Sequence, residues 1–245
     1  MTVHLVIGAT GATGSALTRR LTADGATVVA AARTRADLDA LADETGAHVR
    51  EVDATDVDAV GELVEAVVTD HGQLDGAANL AGSVLLKPAH LTSVEDWHGT
   101  IALNLTSAFA LTRAAAKAMR KHGGSIVLAS SAAAQTGIAN HEAIAAAKGG
   151  VAALARSAAA TYGGRGIRVN AVAPGLVRAA MTEQLTSDEG QAEASRAMHV
   201  LGRLGEGEDV ASAVAWLLDP DNSWVTGQVL GVDGGLGQVR PRLKL

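Results

Sequence analysis

Lys148 stands in an alanine-rich stretch, ANHEAIAAAKGG (residues 139–150), whose composition predicts a helix. A lone lysine on an apolar helix face either extends its amine to water or takes part in chemistry. A proton-transferring partner is expected one helical turn earlier. The residue four positions back is Ile144, which can neither give nor take a proton. The stretch therefore raises the question of which group acts with Lys148.

His141 is one candidate for that partner. It precedes Ile144 by three residues and Lys148 by seven, so all three lie on one face of the predicted helix. Imidazoles titrate near neutral pH and suit general acid catalysis. The simpler interpretation is that His141 and Glu142 only start the helix, as polar first-turn residues commonly do. Two residues of flanking segments could also reach the site, Gln135 and His199.

Strand and helix patterns alternate along the whole chain and must position these groups. The strand patterns are TVHLVIGA, TVVAAAR, HVREVDA, LDGAANLAG, GSIVLASS, IRVNAVAPG and GQVLGVDGG. Helical patterns separate them, including one over 93–121, one over about 140–162 and two shorter helices within 181–219. The alternation predicts an α/β fold, a Rossmann-like doubly wound parallel sheet of about seven strands with helices on both faces. With no linker and no repeat, residues 1–245 are predicted to form a single domain.

A glycine-rich loop, GATGATG (residues 8–14), follows the first predicted strand and opens the first helix. Gly8, Gly11 and Gly14 permit a tight turn and let backbone N–H groups approach a pyrophosphate at the positive end of the helix. At this place in a doubly wound sheet the pattern predicts a dinucleotide site. The alternative is a turn that starts the helix and binds nothing.

The end of the second strand predicts which dinucleotide is bound. A carboxylate there would bind a ribose 2′-hydroxyl, but this chain has Arg33, Thr34 and Arg35 instead. Two arginines without a carboxylate suit a 2′-phosphate, so NADP, as NADPH, is predicted and NAD is disfavoured. The alternative is a solvated charge pair at the start of a helix.

Composition narrows the class of protein. The net charge is −6 and the basic residues are scattered, which argues against nucleic acid or an anionic membrane as a partner. The chain has no cysteine, and its first residues lack the features of a signal peptide, so a cytoplasmic protein is expected. The eight histidines show no ligand spacing, and no metal site is predicted.

These motifs together resemble the short-chain dehydrogenase/reductase family over nearly the whole chain. Beyond the glycine loop, NLAG (79–82), Asn104 in IALNL, the serine pair ending SIVLASS, AAAKGG, RVNAVAPG and GQVLGVDGG all match its motifs. The resemblance implies that Asn104, Ser131 and Lys148 are catalytic, with His141 as a possible proton donor. The residues that it and the loop pattern assign to the cofactor are Gly8, Thr10, Gly11, Thr13, Gly14, Arg33, Thr34, Asp53, Ala54, Asn79, Ala81, Gly82, Lys148, Pro174, Gly175 and Val177.

Two positions depart from the family pattern. Ile144 occupies the place of the tyrosine that gives or takes the substrate proton, at the family spacing of thirteen residues after Ser131. The only tyrosine, Tyr162, lies about five turns further along the helix and cannot substitute. Ala179 stands where the family has a threonine that binds the nicotinamide carboxamide, with Thr182 three residues further on.

Three functions remain compatible with the sequence. The first is an NADPH-dependent oxidoreductase that transfers a hydride to or from a small C=O, C=N or activated C=C substrate, such as a ketone or an imine. Because losing a general acid costs about 10²–10⁴ in rate, cyclic iminium ions or enones would be better substrates than ketones. The second is a catalytically silent NADP-binding sensor, and the third is a lyase or isomerase on the same fold. The resemblance also implies a homo-oligomer, a dimer or tetramer, and a substrate lid over about 179–207. Separately, Trp97, Trp216 and Trp224 are predicted to lie in the core or at subunit contacts.

Overall fold

The fold is a single seven-stranded parallel sheet in a computed structural model that describes residues 1–240. The strand order is β3-β2-β1-β4-β5-β6-β7. The strands are β1 Val3–Ile7, β2 Thr27–Ala32, β3 His48–Glu51, β4 Gly76–Asn79, β5 Gly124–Ala129, β6 Ile167–Pro174 and β7 Val229–Val232. The order reverses between β1 and β4, so the predicted doubly wound sheet is confirmed, with its switch point at those two strands.

Nine α-helices connect or follow the strands in the described part of the chain. They are α1 Ala12–Ala23, α2 Arg35–Thr45, α3 Val57–His71, α4 Val94–Ile101, α5 Ser107–Ala118, α6 Glu142–Tyr162, α7 Glu183–Ser187, α8 Glu189–Met198 and α9 Gly207–Leu218. Side-chain capping fixes the N-termini of two of these helices. The Asp56 carboxylate caps α3 by accepting from two backbone N–H groups, and Ser93 with Asp96 forms a capping box on α4.

Two apolar layers cover the sheet, one on each face. Alternating strand residues point to opposite faces, so Leu5 and Ile7 pack with α3, α5 and α6, while Val6 packs with α1, α2 and α9. Alanine and valine dominate both layers, since aromatic residues make up only 2% of the chain. The two layers hold the sheet rigidly and leave the carboxyl ends of its strands free to build a site.

The structure corrects the sequence prediction in two places. The segment 181–219 contains three α-helices rather than two, because Asp188 starts a new helix by accepting from Gln191 N–H. The predicted helix over 93–121 is interrupted by a π-helical turn at Ala102–Thr106. Of the two places predicted for the tryptophans, the core is excluded and a subunit contact stays a prediction: Trp97, Trp216 and Trp224 are 41%, 47% and 98% exposed.

Within residues 1–240, no helix is long and apolar enough to cross a membrane. The last segment of the chain, RPRLKL (240–245), whose basic residues predict a tail that is frayed or docks on a neighbouring subunit, lies outside the described residues except for Arg240.

Candidate active site

The glycine loop between β1 and α1 is packed too tightly for side chains. Gly8 has φ +80°, in the left-handed region that favours glycine. A Cβ on Gly14 would lie 2.2 Å from the Gly8 carbonyl oxygen, and a Cβ on Gly207 of α9 would lie 2.4 Å from the Ala12 oxygen. The first N–H groups of α1 have no partner within the helix. The loop thus presents bare backbone donors at a positive helix end.

A cavity of about 170 Å³ runs from this loop across the carboxyl ends of β4, β5 and β6. Its lining includes eleven of the predicted site residues: Gly8, Gly11, Thr13, Gly14, Gly82, Asn104, Ser131, Lys148, Pro174, Gly175 and Val177. A larger cleft of about 640 Å³ lies at the opposite end of the sheet, around Thr2 and His4. Ligands of doubly wound sheets bind beyond the carboxyl ends of the strands, so the smaller cavity is the candidate site.

Lys148 is buried in the wall of this cavity. Its Nζ donates to the Ala129 carbonyl oxygen at 2.8 Å, and Ser130 Oγ donates to the Lys148 carbonyl oxygen at 2.9 Å. Burial lowers the pKa of Lys148 from 10.5 to about 8. The amine is therefore held at the junction of β5 and α6 and titrates in a range where both of its forms are populated.

This pKa predicts how stability depends on pH. Between pH 8 and 10.5 the unfolded chain holds the Lys148 proton and the folded chain releases it, so the free energy of unfolding rises with pH there. The full rise is about 3 kcal/mol. We expect Lys148→Met to be more stable than the wild type at pH 7 and to lose this advantage by pH 10. Urea unfolding at several pH values measures the difference, and a difference that does not change with pH would contradict the burial of a charged amine.

Asn104 projects from the π-helical turn between α4 and α5. Its Nδ2 donates to Ser83 Oγ and to Thr100 O, and its Oδ1 accepts from Ser83 N–H at 3.2 Å. A Cβ on Gly82 would lie 2.9 Å from that Oδ1 and 3.5 Å from Lys148 Nζ. The π turn brings the amide to the loop after β4, and such turns are frequent at functional sites.

Ile144 forms a shared wall between this cavity and a second one. It is 5% exposed and lines both cavities, as do Ser131 and Thr182. The second cavity has a volume of about 310 Å³, and α7 and α8 cover it with Leu185, Ala194 and Met198. Residue 144 at this junction is an isoleucine, so no phenol hydroxyl is present at the turn before Lys148.

Ser131 lies at the same junction, directly after β5. Its Oγ accepts from Ala133 N–H at 3.2 Å, which leaves its hydroxyl proton free to donate. The serine hydroxyl is therefore a hydrogen-bond donor available at the boundary of the two cavities.

His141 lines the second cavity but does not cap the helix. It occupies the N-cap position of α6 without a side-chain cap hydrogen bond. Its Nδ1 instead lies 2.7 Å from the Ala139 carbonyl oxygen. His141 therefore starts α6 with its backbone, and its side chain lines the second cavity.

Gln135 and His199 do not line either of the two joined cavities. His199 lies on the other side of the loop after β6, where its Nδ1–H donates to Ser195 O and its Nε2 accepts from Leu176 N–H. Gln135 has a buried Oε1 without a partner, beside Gly237. Both residues lie behind the site wall, so neither is a candidate proton donor.

The remaining predicted cofactor residues lie around the cavity rather than in its lining. They are Thr10, Arg33, Thr34, Asp53, Ala54, Asn79 and Ala81. Arg33 is exposed after β2, close to Asp53. Two hydrogen bonds from Thr55 hold the pKa of Asp53 below its usual range. Asn79 is buried at the end of β4 and bonds Ala81 N–H and Ser107 Oγ.

Thr182 lines both cavities. Its hydroxyl already donates to the Val177 carbonyl oxygen at 2.6 Å, so the hydroxyl proton is used by the loop backbone. Across residues 1–240 there is no cluster of three or more His, Cys, Asp or Glu side chains suited to a metal ion.

The fold and this cleft define a Rossmann-like α/β protein, and comparison with known proteins identifies its family. A family model described as enoyl-(acyl carrier protein) reductase matches residues 8–237. A 3-oxoacyl-(acyl-carrier-protein) reductase of Thermotoga maritima is 38% identical over 242 residues, covering 96% of this chain and 97% of the relative.

Two solved structures have the same fold. A short-chain type dehydrogenase/reductase from Mycobacterium ulcerans superposes with a TM-score of 0.93 at 31% identity, covering 98% of this chain and 91% of that one. An actinorhodin polyketide ketoreductase variant with NADPH gives a TM-score of 0.91 at 31% identity, covering 97% and 98%. This chain belongs to the short-chain dehydrogenase/reductase family.

Proposed function

We propose that this protein is an NADPH-dependent oxidoreductase that passes a hydride between the nicotinamide and a small polarised double bond. One observation carries the proposal: the cavity that begins at the glycine loop ends at Ser131 and Lys148, and there it adjoins a second, apolar cavity. In this proposal the first cavity holds the nicotinamide end of the cofactor and the second cavity holds the substrate. The relatives, named as reductases or dehydrogenases, support this assignment.

The residues around the first cavity fit a dinucleotide. Gly8 and Gly14 have no room for a Cβ because neighbouring backbone lies there, and this close packing sets bare backbone at the N-terminus of α1, where a pyrophosphate would bind. Gly82 has no side chain, and this leaves space beside Lys148 and Asn104 for the nicotinamide ribose. When bound, the reduced cofactor supplies the hydride. In this proposal Lys148 orients the ribose, and Asn104 holds the loop after β4 in place.

Arg33 is proposed to select NADPH over NADH. Its guanidinium is exposed beyond β2, and Thr34, the N-cap of α2, leaves the first N–H groups of that helix uncapped. A 2′-phosphate there would meet a cation and a positive helix end.

We expect Arg33→Ser to raise the Kd for NADPH by about 10- to 100-fold, since hydrogen bonds to charged groups contribute about 1.5–3 kcal/mol. The Kd for NADH should stay unchanged. Arg35→Ser is the matched control, because the Arg35 guanidinium already pairs with Asp39 at 2.8 Å and should matter less. Fluorescence titration measures both constants, and an equal loss of NADPH and NADH affinity would argue against a phosphate contact.

Ile144 defines the proposed substrate class. The hydroxyl of Ser131 can donate to a carbonyl or enolate oxygen. No phenol stands at the turn before Lys148 to give the substrate a proton. A cyclic iminium ion arrives with its proton, and the α-carbon of an enone can take one from water. The apolar lining of the second cavity, with Val84, Leu86 and Ile138, suits small aliphatic or alicyclic substrates.

Turnover of a substrate panel tests this proposal. NADPH is mixed with the protein and with a ketone, a cyclic imine or an enone of similar size, and the loss of NADPH absorbance is followed. The proposal predicts that imines or enones are reduced faster than the ketone. Ketone reduction faster than both other classes would overturn the proposed substrate class, and tight NADPH binding without any turnover would overturn the redox function.

A second candidate function rests on two residues. Ile144 and Ala179 replace the family's tyrosine and its carboxamide-binding threonine, and a protein that only senses NADP needs neither. The buried amine of Lys148 and the free hydroxyl of Ser131 favour the oxidoreductase, because a sensor needs no hydrogen-bond donor at the substrate cavity.

A homo-oligomer, dimer or tetramer, is also proposed. Trp224 is 98% exposed, Leu230 lies exposed on the edge strand β7, and Phe109 is half exposed on α5. Single exposed apolar residues are ordinary, but an almost fully exposed tryptophan near an open sheet edge suits a subunit contact.

A further inference from the structure

We propose that His141 gives the proton to the substrate heteroatom when the substrate does not bring one, as with a ketone. This inference rests on the proposed function and names a further catalytic residue for it. His141 would thus take part of the task for which Ile144 has no hydrogen-bonding group.

The hydrogen bond at Nδ1 fixes how the imidazole can act. The Ala139 carbonyl oxygen can only accept, so Nδ1 carries a hydrogen and donates at 2.7 Å. Nε2 is then the ring nitrogen left free: it accepts when the ring is neutral and donates when the ring is protonated. A second bond that fixes the tautomer is the usual way in which a histidine is prepared for proton transfer.

The backbone before His141 is held in an unusual conformation. Asn140 has φ +62° and is the only residue other than glycine with positive φ among residues 1–240. Asparagine tolerates this region better than most residues, yet it still costs free energy. The turn at Asn140 places His141 against the Ala139 carbonyl oxygen and at the rim of the second cavity. Strained backbone is concentrated at functional sites in proteins.

The cavity offers no other group of this kind. No Asp, Glu, Lys or Arg lines it, and its other polar side chains are Ser131, Thr182, Gln191 and Ser195. The charged or titratable groups of the neighbouring helices are Glu142, Lys148, Arg156 and Tyr162 on α6, Glu95, Asp96 and His98 on α4, Arg113 and Lys117 on α5, Glu183 on α7, and Glu189, Glu193 and Arg196 on α8. None of these groups lines the second cavity. His141 is thus the one described side chain in this lining whose chemical group can both give and take a proton.

In the proposed step the ketone takes up a hydride at its carbon and a proton at its oxygen. The carbonyl carbon receives the hydride from NADPH, which leaves as NADP⁺, and the C=O π electrons move to the oxygen. That oxygen takes the proton from Nε2 of the imidazolium and leaves as the hydroxyl of an alcohol. The neutral imidazole regains a proton from solvent, to which the half-buried His141 has access. A cyclic iminium ion skips this proton transfer, because its nitrogen already carries the proton.

Paired substrates test the inference. Wild type, His141→Gln and His141→Ala are assayed with NADPH against a ketone and a cyclic imine of similar size. His122→Ala serves as the control, since His122 is exposed at the far end of the sheet. We expect both His141 variants to lose about 10²-fold in kcat for the ketone and to keep imine reduction within about threefold. Added imidazole should partly restore ketone reduction by His141→Ala, a rescue that a merely structural role of the residue would not give.

An equal loss of activity with both substrates would mean that His141 only shapes the cavity. An unchanged rate of ketone reduction would mean that His141 takes no part in the reaction. Imine reduction by wild type without any ketone reduction would also overturn the inference while leaving the proposed function intact. Tight NADPH binding with neither substrate reduced would overturn the proposed function itself.

Discussion

Ile144→Tyr should raise kcat for ketone reduction by up to about 10²-fold, the part of a general acid's contribution of about 10²- to 10⁴-fold that His141 does not already supply. The substituted side chain would lie one turn before Lys148 and between the two cavities. The Lys148 amine, buried and with its pKa lowered to about 8, would stand beside the new phenol and favour its ionised form. Reduction of a cyclic iminium ion should change little, because it needs no proton from the protein.

The control for this gain is Ile144→Phe, which has the same ring without the hydroxyl. Both substitutions enlarge a buried side chain and should cost about 1–3 kcal/mol of stability through overpacking. Thermal unfolding measures that cost, and steady-state kinetics with the ketone measures the gain. Equal ketone rates in the two variants would mean that the position does not govern proton transfer.

Ser131→Ala should lower kcat for ketone and enone reduction by about 10²- to 10³-fold, the usual effect of removing one donor to a developing oxyanion. The Ser131 oxygen accepts from Ala133 N–H, and that hydrogen bond does not use the hydroxyl proton. The side chain lies at the junction of the two cavities, where this proton can be donated to a substrate. The substitution removes one oxygen and creates little empty space. Its effect should therefore appear in kcat rather than in stability.

Ser130→Ala is the matched comparison for that prediction. The Ser130 hydroxyl is buried and donates to the Lys148 carbonyl oxygen, so removing it should cost about 1 kcal/mol of stability. Its effect on kcat should be smaller than that of Ser131→Ala. If the two alanine variants lost activity equally, Ser131 would be a structural residue of the strand end and not a donor to the substrate.

The sequence predicted the sheet and the place of the site because both follow from local patterns. Apolar strand segments and the glycine loop depend on short-range chemistry, and parallel strands bring their carboxyl ends to one edge. The absence of a hydroxyl before Lys148 was also readable, since it is a matter of spacing along one helix. The structure places Ile144 where the spacing predicted, in the wall of the cavity.

Other features depend on contacts distant in sequence and could not be read in this way. The π turn that presents Asn104 arises where α4 meets α5, within a pattern that looks continuously helical. His199 and Gln135 were open candidates until the loop after β6 and the backbone around Gly237 placed them behind the wall. The Nδ1 bond of His141 depends on the conformation of Asn140, which no periodicity reveals.

The most direct test of the central claim, hydride transfer in this cleft, follows a deuterium label. The protein is incubated with a cyclic imine and, separately, with each of the two NADPH diastereomers deuterated at C4, and the amine product is analysed by mass spectrometry. The account predicts one deuterium on the former C=N carbon, from only one of the two diastereomers. Tight NADPH binding with no amine formed, or amine without deuterium from either diastereomer, would contradict it.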